Sequence, residues 1–462
     1  MMQRLPSGAP GLDEVLAGGL PADAINLILG LPGSGKTMLA QQYVFANATA
    51  ERPAVYLSTV SEPFEKIVRY AQELSFFDTD AVGRRVIYED VGADLMRDGP
   101  PAVLERVIDL LDRHEPGLLV IDSFKPLAAF AASDAEHRRM LHELAGRVSV
   151  RKVASLWLGE YAASDMSTTP EFAVADAVLW MTSTRQDERE LRLLQVLKLR
   201  GSTFMSGKHG YRLSAAGVRV FPRLADQGQS DTYSLKEGRV SSGIDTLDPI
   251  LQAGYRTGSA TLVIGPSGVG KTVIGLQFVV DGIRRGERAV LAGFEENPSQ
   301  LARVAEGFGW SKEAKGIELM YRSAVDLYVD EWVYDLLDAI GRTGARRVFI
   351  DGLGHIRSAA GDSVRFREYL YSLVQRCSRL GVNLMMSLES QELFGMTRLT
   401  DLGLSQMSDN LLLLQFLRRE GRYRRSLTVL KSRASATEPR LHEYAIGRDG
   451  VALLNPSSAP SH

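Results

Sequence analysis

The sequence contains a single cysteine, Cys377, among 462 residues. One thiol excludes an internal disulfide and a thiolate zinc cluster, and it suits a reducing compartment. Because the surrounding stretch YSLVQRCSRLGV has a helical pattern, we expect Cys377 to be a packed side chain. No apolar run approaches the roughly 18 residues of a membrane span, and the N-terminus lacks the apolar core of a signal peptide. We therefore expect a cytoplasmic protein without a membrane partner.

The sequence also lacks an excess of charge of one sign. Lys and Arg total 54 and Asp and Glu total 56, so the formal net charge is −2. This balance gives no support to a polybasic nucleic-acid coat or an anionic-membrane binder. Hydrophobic residues at 45% and charged residues at 24% exclude a disordered chain and are typical of a globular protein. At about 150 residues per domain, the length predicts two or three domains.

Several sequence elements occur twice. The repeated pairs are Ser7–Asp13 with Ser242–Asp248, Gly30–Thr37 with Gly265–Thr272, Leu118–Ser123 with Val348–Gly352, and Lys198–Arg200 with Lys431–Arg433. The offset between the copies stays between 229 and 235 residues. Copies of this length are too long for a solenoid repeat, so we predict two domains of one fold.

The alternation of short apolar runs with longer amphipathic stretches predicts the fold class. Strand, loop and helix follow one another in each copy, which favours an α/β fold with a mostly parallel sheet and helices on both faces. Each copy ends in a predicted antiparallel hairpin, within 177–199 and 411–431. The expected organisation is a first domain at 1–224, a linker at 225–233, a second domain at 234–454 and a disordered tail at 455–462.

The repeated pattern Gly-x4-Gly-Lys-Thr lies between a predicted strand and a predicted helix, which is typical of a P-loop. Backbone N–H groups and the helix N-terminus hold phosphates there, the lysine reaches the β- and γ-phosphates, and the threonine ligates Mg²⁺. The candidate binding residues are Gly33, Ser34, Gly35, Lys36 and Thr37, and Gly268, Val269, Gly270, Lys271 and Thr272. The alternative is a Gly-rich turn with a chance lysine, which recurrence at the repeat offset disfavours. We therefore predict ATP and Mg²⁺ as cofactors.

An aspartate ends a predicted apolar strand in each copy, at Asp122 and Asp351. An acid at this place in a P-loop domain is predicted to be the metal-linked partner of Thr37 and Thr272. The alternative role is a helix cap or a turn. His355, close after Asp351, could sense the γ-phosphate, although a lone histidine after a strand is more often structural.

The two copies differ where a nucleophile would be activated. The second copy has Glu295 and Glu296 just after a strand, where a carboxylate can orient or deprotonate a nucleophile. Alignment on the prolines that follow places Val60 and Ser61 at these positions, and only Glu62 remains, one position later. We expect the first site to bind ATP and hydrolyse it slowly. The alternative for the glutamates is a solvated strand end.

Two cation pairs, Lys198 with Arg200 and Lys431 with Arg433, lie on the predicted hairpins. Alternation along a strand puts both charges of a pair on one face, where they suit a phosphate clamp. If a pair reached a phosphate bound to a neighbouring subunit, it would act like an arginine finger. A solvated hairpin face is the alternative, and recurrence at the repeat offset argues against it.

These motifs together resemble the KaiC family of double-domain RecA-like ATPases, over the whole chain except its last few residues. The residues that carry the resemblance are the Ser-Gly-x-x-x-Leu-Asp opening, both P-loops, Phe294–Pro298, Leu197–Gly201 and Gly210–Pro222. The resemblance implies two tandem RecA-like P-loop NTPase domains in a two-tiered homohexamer. It also implies ATP bound between subunits, with each Lys-x-Arg pair completing the neighbour's site.

The resemblance further implies autophosphorylation in the second domain. Ser405 falls on the family's phosphoserine position, Gln406 on the adjacent phosphothreonine position, and Thr400 on a transient acceptor position. Glu295 is the candidate base, acting across the subunit interface. The alternative is that Ser405 and Ser408 are ordinary turn hydroxyls.

We therefore predict an ATPase and serine/threonine autokinase that acts as a nucleotide-driven signalling or timing hexamer with an unknown signalling protein partner. Gln406 makes a two-phosphate clock cycle doubtful. One alternative is a nucleotide-gated scaffold with little turnover. Another is a recombination ATPase of the RecA class, supported by the basic run Arg418–Arg425. We expect no nucleic-acid partner, because charge at a hairpin tip is usually solvated or at a subunit interface.

Overall fold

The chain folds into two compact units that divide after Arg223. This computed structural model describes residues 3–59, 64–162, 165, 169–186, 189–224, 237–390, 404–419, 421–433 and 439–454. The predicted linker at 225–233 and tail at 455–462 lie outside these residues. Leu224 lies in the core of the second unit, where its carbonyl oxygen accepts a hydrogen bond from Ser372 Oγ at 2.8 Å.

Strands and helices alternate along the first unit. Its strands are β1 (Arg4–Leu5), β2 (Leu20–Pro21), β3 (Ile25–Gly30), β4 (Ala54–Ser58), β5 (Val86–Asp90), β6 (Leu118–Asp122), β7 (Ala154–Gly159), β8 (Ala177–Gln186), β9 (Arg189–Leu199), β10 (Lys208–Ser214) and β11 (Gly217–Phe221). Its helices are α1 (Leu12–Val15), α2 (Lys36–Asn47), α3 (Phe64–Ala71), α4 (Gly92–Asp98), α5 (Pro100–His114), α6 (Lys125–Ala129), α7 (Asp134–Val150) and α8 (Glu171–Val174).

The second unit repeats the pattern. Its strands are β12 (Arg239–Val240), β13 (Tyr255–Arg256), β14 (Ala260–Gly265), β15 (Ala289–Gly293), β16 (Ile317–Tyr321), β17 (Arg347–Asp351), β18 (Asn383–Glu389), β19 (Asn410–Arg419), β20 (Arg422–Ser432), β21 (Leu441–Gly447) and β22 (Gly450–Leu453). Its helices are α9 (Lys271–Arg284), α10 (Pro298–Gly307), α11 (Ser311–Ala314), α12 (Val329–Thr343), α13 (Leu353–Ala360), α14 (Ser363–Leu380) and α15 (Leu404–Met407).

The large sheets of the two units have the same strand order. The first is β5-β4-β6-β7-β3-β8-β9-β10-β11 and the second is β16-β15-β17-β18-β14-β19-β20-β21-β22. Neighbours pair parallel from β5 to β8 and from β16 to β19. The remaining pairs are antiparallel. This mostly parallel sheet with a terminal hairpin confirms the predicted fold class.

Helices cover both faces of each sheet, which explains why the central strands are mostly apolar and are buried along their whole length. Every residue of β3 and of β14 is buried. In the first unit, α2 packs on one face and α5 and α7 pack on the other, each within its own apolar cluster. In the second unit, α9 covers one face and α12 and α14 cover the other. Cys377 is buried on α14 as predicted, and burial raises the pKa of its thiol to about 12.

The repeated Ser-Gly-x-x-x-Leu-Asp opening is a structural motif. The Asp13 carboxylate accepts a hydrogen bond from the Ser7 backbone N–H at 3.0 Å, and Asp248 does the same for Ser242 at 2.7 Å. The glycine after each serine has positive φ and lies against the P-loop helix. The motif therefore closes a loop onto α2 or α9 and does not itself supply chemistry. Among the described residues, no helix is both long and apolar enough to cross a membrane.

Candidate nucleotide and phosphoryl-transfer sites

Each P-loop joins the central strand of its sheet to the helix that follows. The helices begin at Lys36 and Lys271, and the residue before each is a glycine with φ of 92° or 110° that offers no side-chain cap. A Cβ at Gly35 would lie 2.7 Å from Leu213 Cδ2, and one at Gly270 would lie 2.7 Å from Ile446 Cδ1. Glycine is therefore required on both steric and conformational grounds. Its lack of a side chain leaves the helix N-terminus open to an anion.

The P-loop lysines are folded onto carbonyl oxygens of their own loops. Lys36 Nζ donates to the Gly30 and Leu31 oxygens at 2.9 and 3.0 Å. Lys271 Nζ donates to the Pro266 oxygen at 2.9 Å. Burial lowers the pKa of both lysines, and nearby carboxylates partly offset the effect. The ammonium groups therefore lie inside the loops where phosphates would bind.

The predicted hydroxyl–carboxylate pairs are formed in both units. Thr37 Oγ1 donates to Asp122 Oδ2 at 2.7 Å, and Thr272 Oγ1 donates to Asp351 Oδ2 at 2.7 Å. Hydroxyl and carboxylate oxygens are the donors that Mg²⁺ prefers, and Mg²⁺ usually completes its shell with water and phosphate oxygens. The donor set therefore fits Mg²⁺, which would neutralise charge on the transferred phosphate.

The two aspartates are held by different neighbours, which sequence reasoning missed. In the first unit, the buried Tyr56 hydroxyl donates to Asp122 Oδ2 at 2.6 Å. In the second unit, Ser387 Oγ donates to Asp351 Oδ1 and accepts the Gly352 N–H at 2.8 Å. Burial raises the pKa of Asp351, although the hydrogen bonds from Ser387 and Thr272 oppose this. Neither partner recurs at the repeat offset, so no sequence signal indicated them.

A cavity adjoins each P-loop. The first has a volume of about 450 Å³, and its wall opposite the loop includes Ile67, Tyr70 and Leu74. The second has a volume of about 540 Å³, and its lining includes Glu295, Glu296 and His355. The second cavity thus brings the predicted catalytic carboxylates together with Lys271, Thr272 and Asp351.

The two glutamates of the second cavity have different environments. The Glu295 side chain is 66% exposed, and its Oε1 lies 2.6 Å from His355 Nε2. Glu296 is half-buried, and its Oε2 has no hydrogen-bond partner among the described residues. Burial raises the pKa of Glu296, with further contributions from Asp351 and Glu295. Glu62, the candidate in the first unit, lies outside the described residues.

The cation pairs do not line the cavity of their own unit. Lys198 Nζ donates to the Phe172 oxygen at 3.0 Å, and Arg200 donates to the Ala173 oxygen at 3.2 Å. Both cations of the first pair thus contact adjacent carbonyls, although Arg200 lies one residue beyond the end of β9, where strand alternation no longer applies. In the second unit, Lys431 Nζ donates to the Ser408 oxygen at 2.7 Å and Arg433 donates to the Gln406 oxygen at 2.9 Å.

The predicted phosphoacceptors fall partly outside the described residues. Thr400 is among the residues that are not described. The Ser405 backbone belongs to α15, whereas its side chain lies outside the described part of the chain. The oxygens that Lys431 and Arg433 contact belong to Gln406 and Ser408. The predicted clamp and the predicted acceptor segment are thus neighbours in the fold.

Further side-chain contacts support the P-loops and were missed at the level of sequence. The Tyr211 hydroxyl donates to the Ser34 oxygen at 2.7 Å, and the Tyr444 hydroxyl donates to the Val269 oxygen at 2.6 Å. An arginine of the hairpin also reaches the first unit's loop, where Arg192 donates to the Gly33 oxygen at 2.8 Å. Both tyrosines recur at the repeat offset, so extending the repeat alignment to the chain's last strands would have found them.

Comparison with known proteins identifies the family. The model of the KaiC ATPase domain matches the chain twice, at residues 5–225 and 240–458. The chain belongs to the KaiC ATPase family. The circadian clock oscillator protein KaiC of a Picosynechococcus species is 27% identical over 472 residues, covering 98% of this chain and 90% of that protein.

Two proteins of a Synechocystis species are similarly related. The circadian clock oscillator protein KaiC 1 is 27% identical over 471 residues, covering 97% of this chain and 88% of the relative. The circadian clock protein KaiC3 is 25% identical over 480 residues, covering 98% of this chain and 92% of the relative. The chain is therefore a tandem-domain P-loop ATPase of this family along nearly its whole length.

Proposed function

We propose that this chain hydrolyses ATP and autophosphorylates Ser405, with the phosphate passing between subunits of a homohexamer. The observation that carries the proposal is the composition of the second cavity. There Glu295 and Glu296 lie with Lys271, Thr272 and Asp351 around one space next to the P-loop. A carboxylate beside a P-loop is the group that phosphoryl transfer needs to orient and deprotonate its acceptor.

The proposed transfer is an in-line displacement. The Ser405 oxygen forms a bond to the γ-phosphorus, the bond from that phosphorus to the β-bridging oxygen breaks, and ADP leaves. Glu295 takes the hydroxyl proton, and Lys271 neutralises charge on the phosphates. Mg²⁺, held through Thr272 and Asp351, supplies further neutralisation when bound. With water as acceptor, the same arrangement hydrolyses ATP.

The position of the cation pair supports transfer between subunits. Lys431 and Arg433 hold the carbonyls at the end of the acceptor segment and do not line the cavity of their own unit. A second copy of the chain that received this pair against its phosphates would receive the acceptor segment with it. Clamp and acceptor would then enter one site together.

We further propose that the first unit binds ATP and hydrolyses it slowly. The carboxylates among the described residues that line its cavity are Asp122 and Glu160. Asp122 already accepts hydrogen bonds from the Thr37 and Tyr56 hydroxyls, so it is not available as a base. This asymmetry also supports the second candidate function, a nucleotide-gated scaffold in which the first unit uses ATP to hold the ring together.

The proposed cellular role is signalling through an unidentified protein partner. The curated relatives are named as clock proteins. Because Gln406 stands at the second of two adjacent acceptor positions, only Ser405 carries a hydroxyl there. This supports a signal that consists of one phosphate. A DNA-dependent role has less support, since Arg419 and Arg424 in the basic run both bond Glu443, at 3.1 and 3.0 Å.

Intact-mass spectrometry after incubation with Mg-ATP, followed by peptide mapping, tests the proposal. We expect one phosphate on Ser405, none on Ser405→Ala, and a rate reduced at least about 100-fold in Glu295→Gln. The control is Glu306→Gln, which changes an exposed carboxylate on α10. An unchanged mass in the wild-type protein, with ATP-dependent assembly retained, would leave the scaffold function. Full incorporation in Ser405→Ala would refute the site.

A further inference from the structure

A histidine in the second unit makes a short contact with the proposed base. His355 lies in the first turn of α13, four residues after Asp351. Its Nε2 is 2.6 Å from Glu295 Oε1. Because Glu295 lies in the loop between β15 and α10, this contact ties a solvent-facing loop to a helix of the core. Both side chains line the same cavity.

The orientation of the His355 ring is restricted by its surroundings. The Phe294 ring packs against it with centroids 5.9 Å apart, and Phe294 is itself 97% buried against Trp332. On another side, a Cβ added to Gly352 would lie 2.9 Å from His355 Cδ2. The ring therefore occupies a space that the absent side chain of Gly352 leaves open. Its Nε2 is directed by packing rather than by Glu295 alone.

A fixed partner matters because Glu295 is otherwise loosely held. Its side chain is 66% exposed, and such a glutamate loses appreciable rotamer entropy when it is ordered. A hydrogen bond from a packed ring restricts those rotamers before substrate arrives. The second oxygen of the carboxylate then remains available to accept a proton from the acceptor. Positioning of this kind contributes to rate through orientation.

The first copy lacks both members of the pair. Four residues after Asp122, at the position of His355, the chain has Pro126. At the position of Glu295 it has Val60. The imidazole and the carboxylate thus occur together in one copy and are absent together from the other, as expected if one serves the other.

We propose that His355 is a positioning residue that holds Glu295 in the orientation needed for proton removal from the phosphate acceptor. The inference rests on the proposed function, since it concerns the proposed base. In this role His355 needs no contact with the transferred phosphate. Its contribution passes through Glu295 Oε1, so it raises the rate of transfer and leaves nucleotide affinity unchanged.

The first test compares His355→Ala and His355→Gln in the full-length chain with Mg-ATP. We expect His355→Ala to lower the single-turnover rate of phosphate incorporation by roughly 10-fold, with nucleotide affinity within about twofold of wild type. Glutamine keeps an N–H donor, so His355→Gln is expected to recover most of the rate. His142→Ala, which removes an exposed histidine on α7, is the matched control.

A double-mutant cycle separates this inference from the proposed function. If His355 acts through Glu295, adding His355→Ala to Glu295→Gln should cause no further loss. A wild-type rate in His355→Ala, or an equal further loss in the Glu295→Gln background, overturns the inference and leaves the base in place. A wild-type rate in Glu295→Gln overturns the proposed function itself. Should His355→Ala fail to fold, His355→Phe takes its place alone and in the Glu295→Gln background, because it keeps a ring against Phe294 and removes the nitrogen that contacts Glu295.

Discussion

The two units share a strand order, a P-loop and a threonine–aspartate pair, yet the layer beneath their cavities differs in chemistry. In the first unit Tyr56 bonds Asp122, and Tyr88 bonds Gln41 at 2.6 Å. The corresponding residues of the second unit, from strand register and distance to the P-loop lysine, are Leu291, Leu319 and Leu276. A polar network has thus been exchanged for an apolar one under the same backbone.

This exchange shows which parts of the fold tolerate change. The groups proposed to hold phosphate and metal are of the same type in both units, as the threonine–aspartate pairs show. The groups that support the aspartate differ, since either a phenol or a serine hydroxyl can donate to it. The groups proposed to activate an acceptor, Glu295 with His355, are replaced by Val60 and Pro126 at the corresponding positions of the first unit. The proposed binding groups thus occur in both units, whereas the proposed activating groups occur in the unit that carries the proposed acceptor.

The largest expected effect comes from removing one P-loop lysine at a time. Lys36→Met and Lys271→Met should each lower the nucleotide bound per chain, because each removes the cation proposed to neutralise phosphate. Only Lys271→Met should abolish phosphate incorporation on Ser405. Extraction and chromatography of bound nucleotide, with mass spectrometry of the protein, measure both. Loss of Ser405 phosphorylation in Lys36→Met, with nucleotide still bound to the second unit, would contradict the assignment of phosphoryl transfer to the second unit alone.

A carboxylate restored to the first unit should raise its turnover. Val60→Glu, made in the Glu295→Gln background to silence the second site, is expected to increase steady-state ATP hydrolysis by about 10-fold through general-base assistance. Val60→Gln is the control, because it has the same size and no charge. Equal rates in these two variants would show that the missing carboxylate does not limit the first unit.

The different hydrogen bonds that hold the two aspartates should contribute measurably to the free energy of unfolding. Tyr56→Phe and Ser387→Ala each remove a hydrogen bond to a buried carboxylate, which we expect to lower the free energy of unfolding by about 1–2 kcal/mol. Ser387→Ala should cost more, because the Gly352 N–H also loses its acceptor. Urea denaturation without nucleotide measures the difference. An unchanged midpoint in either variant would mean that its hydroxyl does not contribute to folding.

The smallest effect concerns pH. Burial raises the pKa of Glu296 in the folded chain, so the folded state binds a proton more tightly than the unfolded state. This contribution to stability is greatest below the unfolded pKa and is lost as the pH rises through the folded value. Glu296→Gln should therefore become more stable relative to wild type as the pH rises above about 4. Thermal midpoints across this range measure it, and a pH-independent difference would contradict the assignment.

The sequence predicted the fold class and the P-loop motifs because both are local patterns. Glycines, lysine and threonine are consecutive in the chain, and the strand-ending aspartates follow recognisable apolar runs. Repetition at a near-constant offset then identified them a second time. The hairpin strands were recognised for the same reason, although β8 extends to Gln186, beyond the predicted apolar run.

Only the tertiary structure decided which groups act on one another. His355 and Glu295 are 60 residues apart, and Tyr56 and Asp122 are 66 apart. These residues meet because parallel strands bring their carboxyl ends and the following loops to one edge of the sheet. Sequence spacing records the order of strands along the chain, but not which strands become neighbours. The sequence therefore determined the P-loops themselves, and the packing of the sheet determined which side chains surround each of them.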